Sequence, residues 1–126
     1  MEKTNQAVVF QEVSKSFGQV NAVRELNFNI EPGQLITLLG PSGCGKTTTL
    51  RLIAGLEMVT KGRIFIGEKE VTHVSASERD VSMVFQSYAL FPHMNVFQNV
   101  SYGLTISRLP KVEVKEKAEA ALDLVG

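Results

Sequence analysis

Cysteine is almost absent from this chain: of its 126 residues only Cys44 carries a thiol, which excludes an intramolecular disulfide and suits a reducing compartment. Net charge is absent too. Lys and Arg total 13, as do Asp and Glu, so no long-range field draws the chain to nucleic acid or to an anionic membrane, and no nucleic-acid partner is expected. No apolar run approaches the roughly 20 residues of a membrane span. Met1 to Phe10 has no secretory-leader pattern, and the expectation is a soluble, cytoplasmic protein. The two histidines, His73 and His93, stand in no arrangement with cysteine, histidine or carboxylate that suits a transition metal, and read as structural. Internal repeats and low-complexity stretches are also missing. A chain of this length is one ordinary domain or a piece of a larger one, and a complete domain of this size buries about two-thirds of its unfolded surface.

Against these absences stands one dense motif, Gly40-Pro41-Ser42-Gly43-Cys44-Gly45-Lys46-Thr47-Thr48, which meets the phosphate-binding pattern G-x-x-x-x-G-K-[ST] at every fixed position. Its residue types follow from what a polyphosphate requires. Glycines let the backbone turn tightly, so that successive N–H groups face one anion and no side chain blocks the approach. Lys46 adds a mobile positive charge for the β- and γ-phosphates, and Thr47 offers a hydroxyl to the magnesium ion that travels with a nucleotide. The helix starting there aims the positive end of its dipole at the phosphates. The context agrees: Gln34 to Leu39 is an apolar run of buried-strand length, and Thr48 to Gly55 carries Leu50, Ile53 and Ala54 at helical spacing. A plain strand-turn-helix connection, with glycines for geometry only, would not call for Lys46-Thr47 at the helix start. Cys44 occupies a variable position of the loop at a helix front beside Lys46, where a thiolate is stabilised, and reads as a modifiable thiol rather than a nucleophile.

Around the motif the chain reads as alternating strands and helices. Ala7 to Val13 and Ala22 to Ile30 are rich in strand formers and read as antiparallel strands joined around Gly18. Glu31-Pro32-Gly33 is a turn that delivers the chain into the strand before the loop. Gly62 to Gly67 and Val81 to Phe85 read as further strands, with polar Glu68 to Arg79 a surface connection between them. Gln86 follows, then Ser87 to Met94, a loop unusually apolar for its position. Asn95 is a cap for a helix presenting Val96, Val100 and Leu104. Pro110 opens a second helix, with Val114, Ala118, Ala121, Leu122 and Val125 as its apolar stripe and Lys115, Glu116, Lys117 and Glu119 facing water. On residue type alone Phe17 could be a core phenylalanine and Gln86 a surface glutamine without a role.

Three stretches together are far more specific than the loop alone: Val13-Ser14-Lys15-Ser16-Phe17-Gly18, the loop extended through Thr48-Thr49-Leu50-Arg51-Leu52-Ile53-Ala54-Gly55-Leu56, and Met83-Val84-Phe85-Gln86-Ser87-Tyr88-Ala89-Leu90-Phe91-Pro92-His93. In these the chain, from Val8 to Leu104, closely resembles the nucleotide-binding subunits of ATP-binding cassette (ABC) transporters, particularly bacterial importers for polyamines, sugars, ferric iron and similar solutes. The resemblance implies an α/β fold of the P-loop NTPase class, the ABC ATPase core with an N-terminal antiparallel β subdomain and the start of the helical subdomain. It divides the chain at residues 1–86, the core with the P-loop, and 87–126, the glutamine loop and the beginning of the helical part. It implies ATP and Mg2+ as ligands: Gly40, Pro41, Ser42, Gly43, Cys44, Gly45, Lys46, Thr47 and Thr48 cradle the phosphates, Phe17 stacks on adenine, and Thr47 and Gln86 attend the metal. Lys46 and Gln86 take catalytic roles, Gln86 reaching the attacking water through an amide that does not titrate. The apolar side chains of Tyr88, Leu90, Phe91, Pro92 and Met94 then mark the docking loop for transmembrane permease subunits, although the same groups can pack down on the helix beyond them.

The family's catalytic apparatus is not all here. No L-S-G-G-Q signature, no apolar strand ending in a magnesium-holding aspartate with its neighbouring glutamate, and no switch histidine occur in the chain, whose only aspartates are Asp80 and Asp123. The chain thus resembles the N-terminal half of such an ATPase, truncated within the helical subdomain, with an apolar strand edge left open to aggregation. Two functions follow as expectations. One is the ATP-binding subunit of an importer, peripheral on the inner face of the cell membrane, paired with a second copy of itself and coupling ATP hydrolysis to solute transport. The other is a fragment that binds nucleotide or docks on a membrane partner without turning over. A P-loop GTPase or small-molecule kinase is disfavoured, because neither is expected to combine Phe17 and Gln86 with this apolar loop.

Overall fold

A computed structural model describes residues 6–126; the first five residues, and with them the start of the Met1 to Phe10 stretch, lie outside it. The chain forms two compact units, one running to Met83 and one over Val84–Gly126.

The first unit is built on an antiparallel sheet. Strand β1 (Val8–Phe17) turns through Gly18 and Gln19 into β2 (Val20–Ile30), with Val8 opposite Ile30, Phe10 opposite Phe28 and Phe17 opposite Val20. Helix α1 (Lys46–Ala54) follows, then β3 (Lys61–Ile66) and the short β4 (Lys69–Glu70), giving the order β2-β1-β3-β4. Inward positions do not alternate strictly along β1, because the register shifts between Phe10 and Val13, where Glu12 has φ 47°, and this irregularity brings Val13 back to the core face. Phe10, Val13, Val23 and Ile64 from the sheet join Leu52 from α1 and Val71 in one core, and the rings of Phe10 and Phe28 stack at 4.4 Å. The expected pair of N-terminal strands is therefore present, each longer than the apolar pattern alone marks.

Two expected strands do not form. Gln34 to Leu39 has no ladder partner among the described residues, and its side chains stand in solvent, Leu35 at 96% and Leu39 at 88% exposure. Val81 to Phe85 is likewise irregular, with Val84 89% exposed, so neither Gly40 nor Gln86 directly follows a strand and Asp80 does not precede one. The reason lies in the backbone: an extended segment becomes a strand only when a neighbour accepts and donates its hydrogen bonds. An apolar run buried on both faces, the pattern of a parallel sheet, has the strongest need of such neighbours.

The connection between β4 and Met83 also departs from expectation, because it is not a mere surface link. Val71, Thr72 and Arg79 are buried. Thr72 Oγ1 accepts from the Ile64 N–H at 3.1 Å and donates to Glu70 Oε1 at 3.1 Å. After a 3-10 turn over Ala76–Glu78, the Arg79 guanidinium closes the C-terminus of α1. Its Nη1 donates to the carbonyls of Leu52 at 2.7 Å and Ile53 at 3.1 Å, and its Nε to that of Val74 at 2.9 Å. These helix carbonyls have no intrahelical donor, and a cation there meets the negative end of the helix dipole. Burial pulls the pKa of Arg79 below the usual arginine value. Gly55, left-handed at φ 80°, caps the same end, and a Cβ there would come within 2.7 Å of Arg79 Nε.

In the second unit, α2 (Val96–Ile106) and α3 (Lys111–Val125) pack together. Asn95 caps α2 as expected and does so within a capping box: its Oδ1 accepts from Gln98 N at 2.8 Å while Gln98 Oε1 accepts from Asn95 N at 2.9 Å. The seam buries small residues, Ser101 and Ala118. Leu104, Val114 and Leu122 are half-buried, whereas Val96, Val100, Ala121 and Val125 remain exposed. Two helices share one line of contact, so a full apolar stripe on either cannot be covered by the other.

Replacing Arg79 by methionine is expected to destabilise the first unit by about 2–3 kcal/mol, because the α1 carbonyls lose charge-assisted donors inside the protein. Urea unfolding followed by circular dichroism measures this, and lysine at the same position should restore only part, having no planar fork to span three carbonyls.

Candidate functional site

The glycine-rich loop lies in the first unit between the open Gln34 to Leu39 segment and α1. Its closing turn is Cys44 N–H to Pro41 C=O at 3.3 Å, and Gly40 to Cys44 are exposed. Gly45, the N-cap of α1, is left-handed at φ 94° and provides no side-chain cap; the first turn of α1 holds no acidic residue. The opening N–H groups of a helix have no intrahelical acceptor. Among the described residues none accepts from those of Lys46, Thr47 and Thr48. A row of free donors at the positive end of a helix dipole, with no protein anion beside it, is a socket for an external anion.

This helix front is pinned to the sheet. A Cβ on Gly45 would sit 2.6 Å from the Ala22 carbonyl oxygen and 3.4 Å from Val23 Cγ2, so the backbone approaches β2 as only glycine can. From the helix side, the Gly45 carbonyl accepts both the Thr49 N–H at 2.9 Å and the Thr49 hydroxyl at 2.8 Å. Thr49 is buried. Motif matching passes over it, since it follows the last fixed position, and so too over Arg79, at the other end of α1. Neither carries a signal in the sequence: Thr49 follows two other threonines and Arg79 closes a polar stretch, and their roles come from the backbone carbonyls of α1 within reach of them.

The Lys46 side chain folds back over the loop. Its ammonium donates to the Gly40 carbonyl and, at 3.5 Å, to that of Pro41. Among the described residues no carboxylate is paired with it, and those two carbonyls are its hydrogen-bond acceptors there. Residues 40–48 contain no carboxylate and no imidazole. The arrangement can therefore grip a polyanion, and it carries no carboxylate or imidazole to serve as a general base.

Phe17 is not a core residue: it is 45% exposed, and the Lys15 ammonium stands 5.0 Å from its ring centroid. It faces Val20 across the hairpin, and Ala22, against which Gly45 lies, is two strand positions further, about 7 Å along β2. Phe17 and residues 40–48 thus belong to one end of the β1–β2 pair. Gln86 is carried by the second unit, exposed, at the start of a turn. In the same unit Tyr88 and Leu90 are 78% and 70% exposed, while Phe91 packs on Tyr102 with ring centroids 4.7 Å apart and Met94 is half-buried. The apolar loop thus divides, part settling on α2 and part standing in solvent.

Residues 23–126 match the family described as ABC transporter. The chain is 63% identical to the Fe(3+) ions import ATP-binding protein FbpC of Agrobacterium fabrum over 95% of its own length and 34% of that relative. It is 65% identical to the protein of the same name from Rhizobium etli, over 94% of the chain and 34% of the relative. To the namesake from Photobacterium profundum it is 53% identical, over 99% of the chain and 35% of the relative. The chain thus spans about a third of the length of the curated relatives it matches. Among solved structures, the dimeric post-hydrolysis state of an ATP-binding cassette bound to ADP and Pi superposes with a TM-score of 0.82 at 26% identity, covering 92% of this chain and 56% of that one. That likeness bears out the expected α/β ABC ATPase core.

Gly45→Ala is expected to lift the start of α1 away from β2, since the added methyl meets the Ala22 oxygen and φ is left-handed. Strain of about 1–3 kcal/mol should appear in a urea melt, together with weaker binding of inorganic tripolyphosphate in calorimetric titration.

Proposed function

The chain belongs to the ABC transporter family, and we propose that it supplies the phosphate-gripping part of an ATP-binding importer subunit that couples ATP binding and hydrolysis to the entry of a solute, ferric ion being the cargo named for its relatives. The observation that carries this reading is the front of α1: free N–H groups, no capping side chain, no acidic residue in the first turn and the Lys46 ammonium held over the loop by carbonyls alone. A triphosphate replaces those carbonyls as the partner of Lys46 at little cost, because a carbonyl dipole competes weakly with a phosphate charge.

Each residue then has a task. Gly40 to Thr48 direct backbone amides at the phosphates, and Lys46 follows the β- and γ-oxygens as charge develops on them. Phe17 offers a half-exposed π-face to adenine, a contact worth about 1–3 kcal/mol in base stacking. Gln86 orients the attacking water through its amide. The Thr47 hydroxyl and the Gln86 amide would each offer Mg2+ a neutral oxygen, and the ion would supply positive charge to offset that of the phosphates. These donors fit the ion: both are hard, neutral oxygens on exposed residues.

Tyr88 to Met94 present apolar groups to a transmembrane permease subunit, and a second copy of the subunit faces the first across the nucleotides. The structural neighbour is dimeric, which supports that pairing. No helix among the described residues is long and apolar enough to cross a membrane, and the subunit sits peripherally on the inner face of the cell membrane through its partner. A second reading applies to the 126 residues by themselves. With no carboxylate or imidazole in the loop and only Asp80 and Asp123 in the chain, this polypeptide binds nucleotide without turning it over.

Lys46→Ala in the full-length protein is expected to abolish ATP-driven transport in proteoliposomes; persistent transport would overturn the assignment. For the 126-residue chain with magnesium and ATP, phosphate release should stay below one equivalent per chain, and multiple turnovers would defeat the binding-only reading.

A further inference from the structure

We infer that Asn99 is a positioning residue for the permease-docking loop, a clasp that holds Tyr88 and Leu90 outward; this rests on the docking role proposed above for Tyr88 to Met94. One amide side chain makes every tie. Its Oδ1 accepts from the Phe91 N–H at 2.9 Å, and its Nδ2 donates to the carbonyls of Phe91 at 3.3 Å, Met94 at 3.1 Å and Asn95 at 2.9 Å. Both backbone groups of Phe91 are thereby bound to one helical residue, while its ring lies against Tyr102. The loop cannot lift from α2 without breaking all of these together.

The clasp explains a second observation. Tyr88 and Ala89 are successive left-handed residues, at φ 66° and 54°, and neither is glycine. L-residues keep such a conformation only where the surroundings determine it. The Tyr88 N–H to Phe85 carbonyl bond, at 3.0 Å, closes the turn on one side, and Asn99 fixes the chain on the other. Between these anchors Tyr88 and Leu90 are held 78% and 70% exposed. Free apolar side chains on a slack loop would fold down on their own helix. Held outward, they meet an apolar segment of a membrane subunit with the ordering cost already met.

The phosphate loop belongs to the other unit, so the loss of Asn99 should separate docking from nucleotide binding. The test uses the full-length protein and its membrane partner in detergent, with Asn99→Leu, Asn99→Asp and, as a control on the docking surface, Leu90→Asp. Circular dichroism verifies folding, and Asn99→Asp, which retains size and the acceptor for the Phe91 N–H, serves if the leucine variant does not fold. Hydrogen exchange over residues 88–94 should accelerate about tenfold in Asn99→Leu, the amide of Phe91 having lost its acceptor. Permease association should weaken by a similar factor, with ATP affinity unchanged. Unaltered exchange overturns the clasp. Faster exchange with undiminished association, while Leu90→Asp dissociates the complex, also overturns it and leaves the docking surface standing. Undiminished association in both variants overturns the docking reading and the inference with it.

Discussion

The contact on which this molecule depends is the junction of Gly45 with Ala22. Here the front of α1 is pressed against β2, at a distance no side chain permits, while two donors from Thr49 to the Gly45 carbonyl close the first turn of the helix. A helix shorter than about 12 residues has little stability of its own, and α1 has 9 residues. Its direction is therefore set from outside. Gly45 holds one end, Leu52 enters the sheet core, and Arg79 grips the carbonyls of the other end. The anion socket at the front inherits its aim from these three points.

This arrangement divides the polar groups of the helix by function. At its C-terminus the orphan carbonyls are met by protein donors, from Arg79 and from the N–H groups of Gly55 and Leu56. At its N-terminus the donors are left open and the nearby lysine is kept clear of carboxylates. Satisfying the front in the same way, with a serine or aspartate cap, would give the helix about 1 kcal/mol and occupy the donors proposed for the phosphates. Stability is withheld from the front of the helix and concentrated at its C-terminus. The second unit is economical in another way: one asparagine, set a turn beyond a capping box, organises a loop whose apolar side chains are then split between packing and display.

Much of this was legible in advance. The fixed residues from Gly40 to Thr48, the hairpin around Gly18, the Asn95 cap and the two C-terminal helices each follow from local rules: glycine at left-handed positions, alternation along strands, and cap chemistry. The strands expected at Gln34 to Leu39 and Val81 to Phe85 were read from apolar content, which marks a wish for burial and not the presence of a neighbour to pair with. Leu35 at 96% exposure records that difference. Glu68 to Arg79 was misjudged for the opposite reason. Its polar residues looked like a surface link, yet Thr72 and Arg79 are buried because their donors and acceptors are claimed by Ile64, Glu70 and the end of α1.

What the sequence determined by itself was the chemistry available: a lysine and two threonines at a helix start, glycines in the loop before it, and a run of motifs around them that resembles the family's. Those are properties of short segments, encoded by neighbours along the chain. The tertiary structure alone decided which of the polar groups stay free. That the Phe17 ring is half-exposed, that Lys46 has only carbonyls for company, that Arg79 clamps α1 and that Asn99 closes the apolar loop all depend on residues distant in number meeting in space. A hydrogen bond is satisfied by whatever lies within about 3 Å, and the order of residues does not say what that will be.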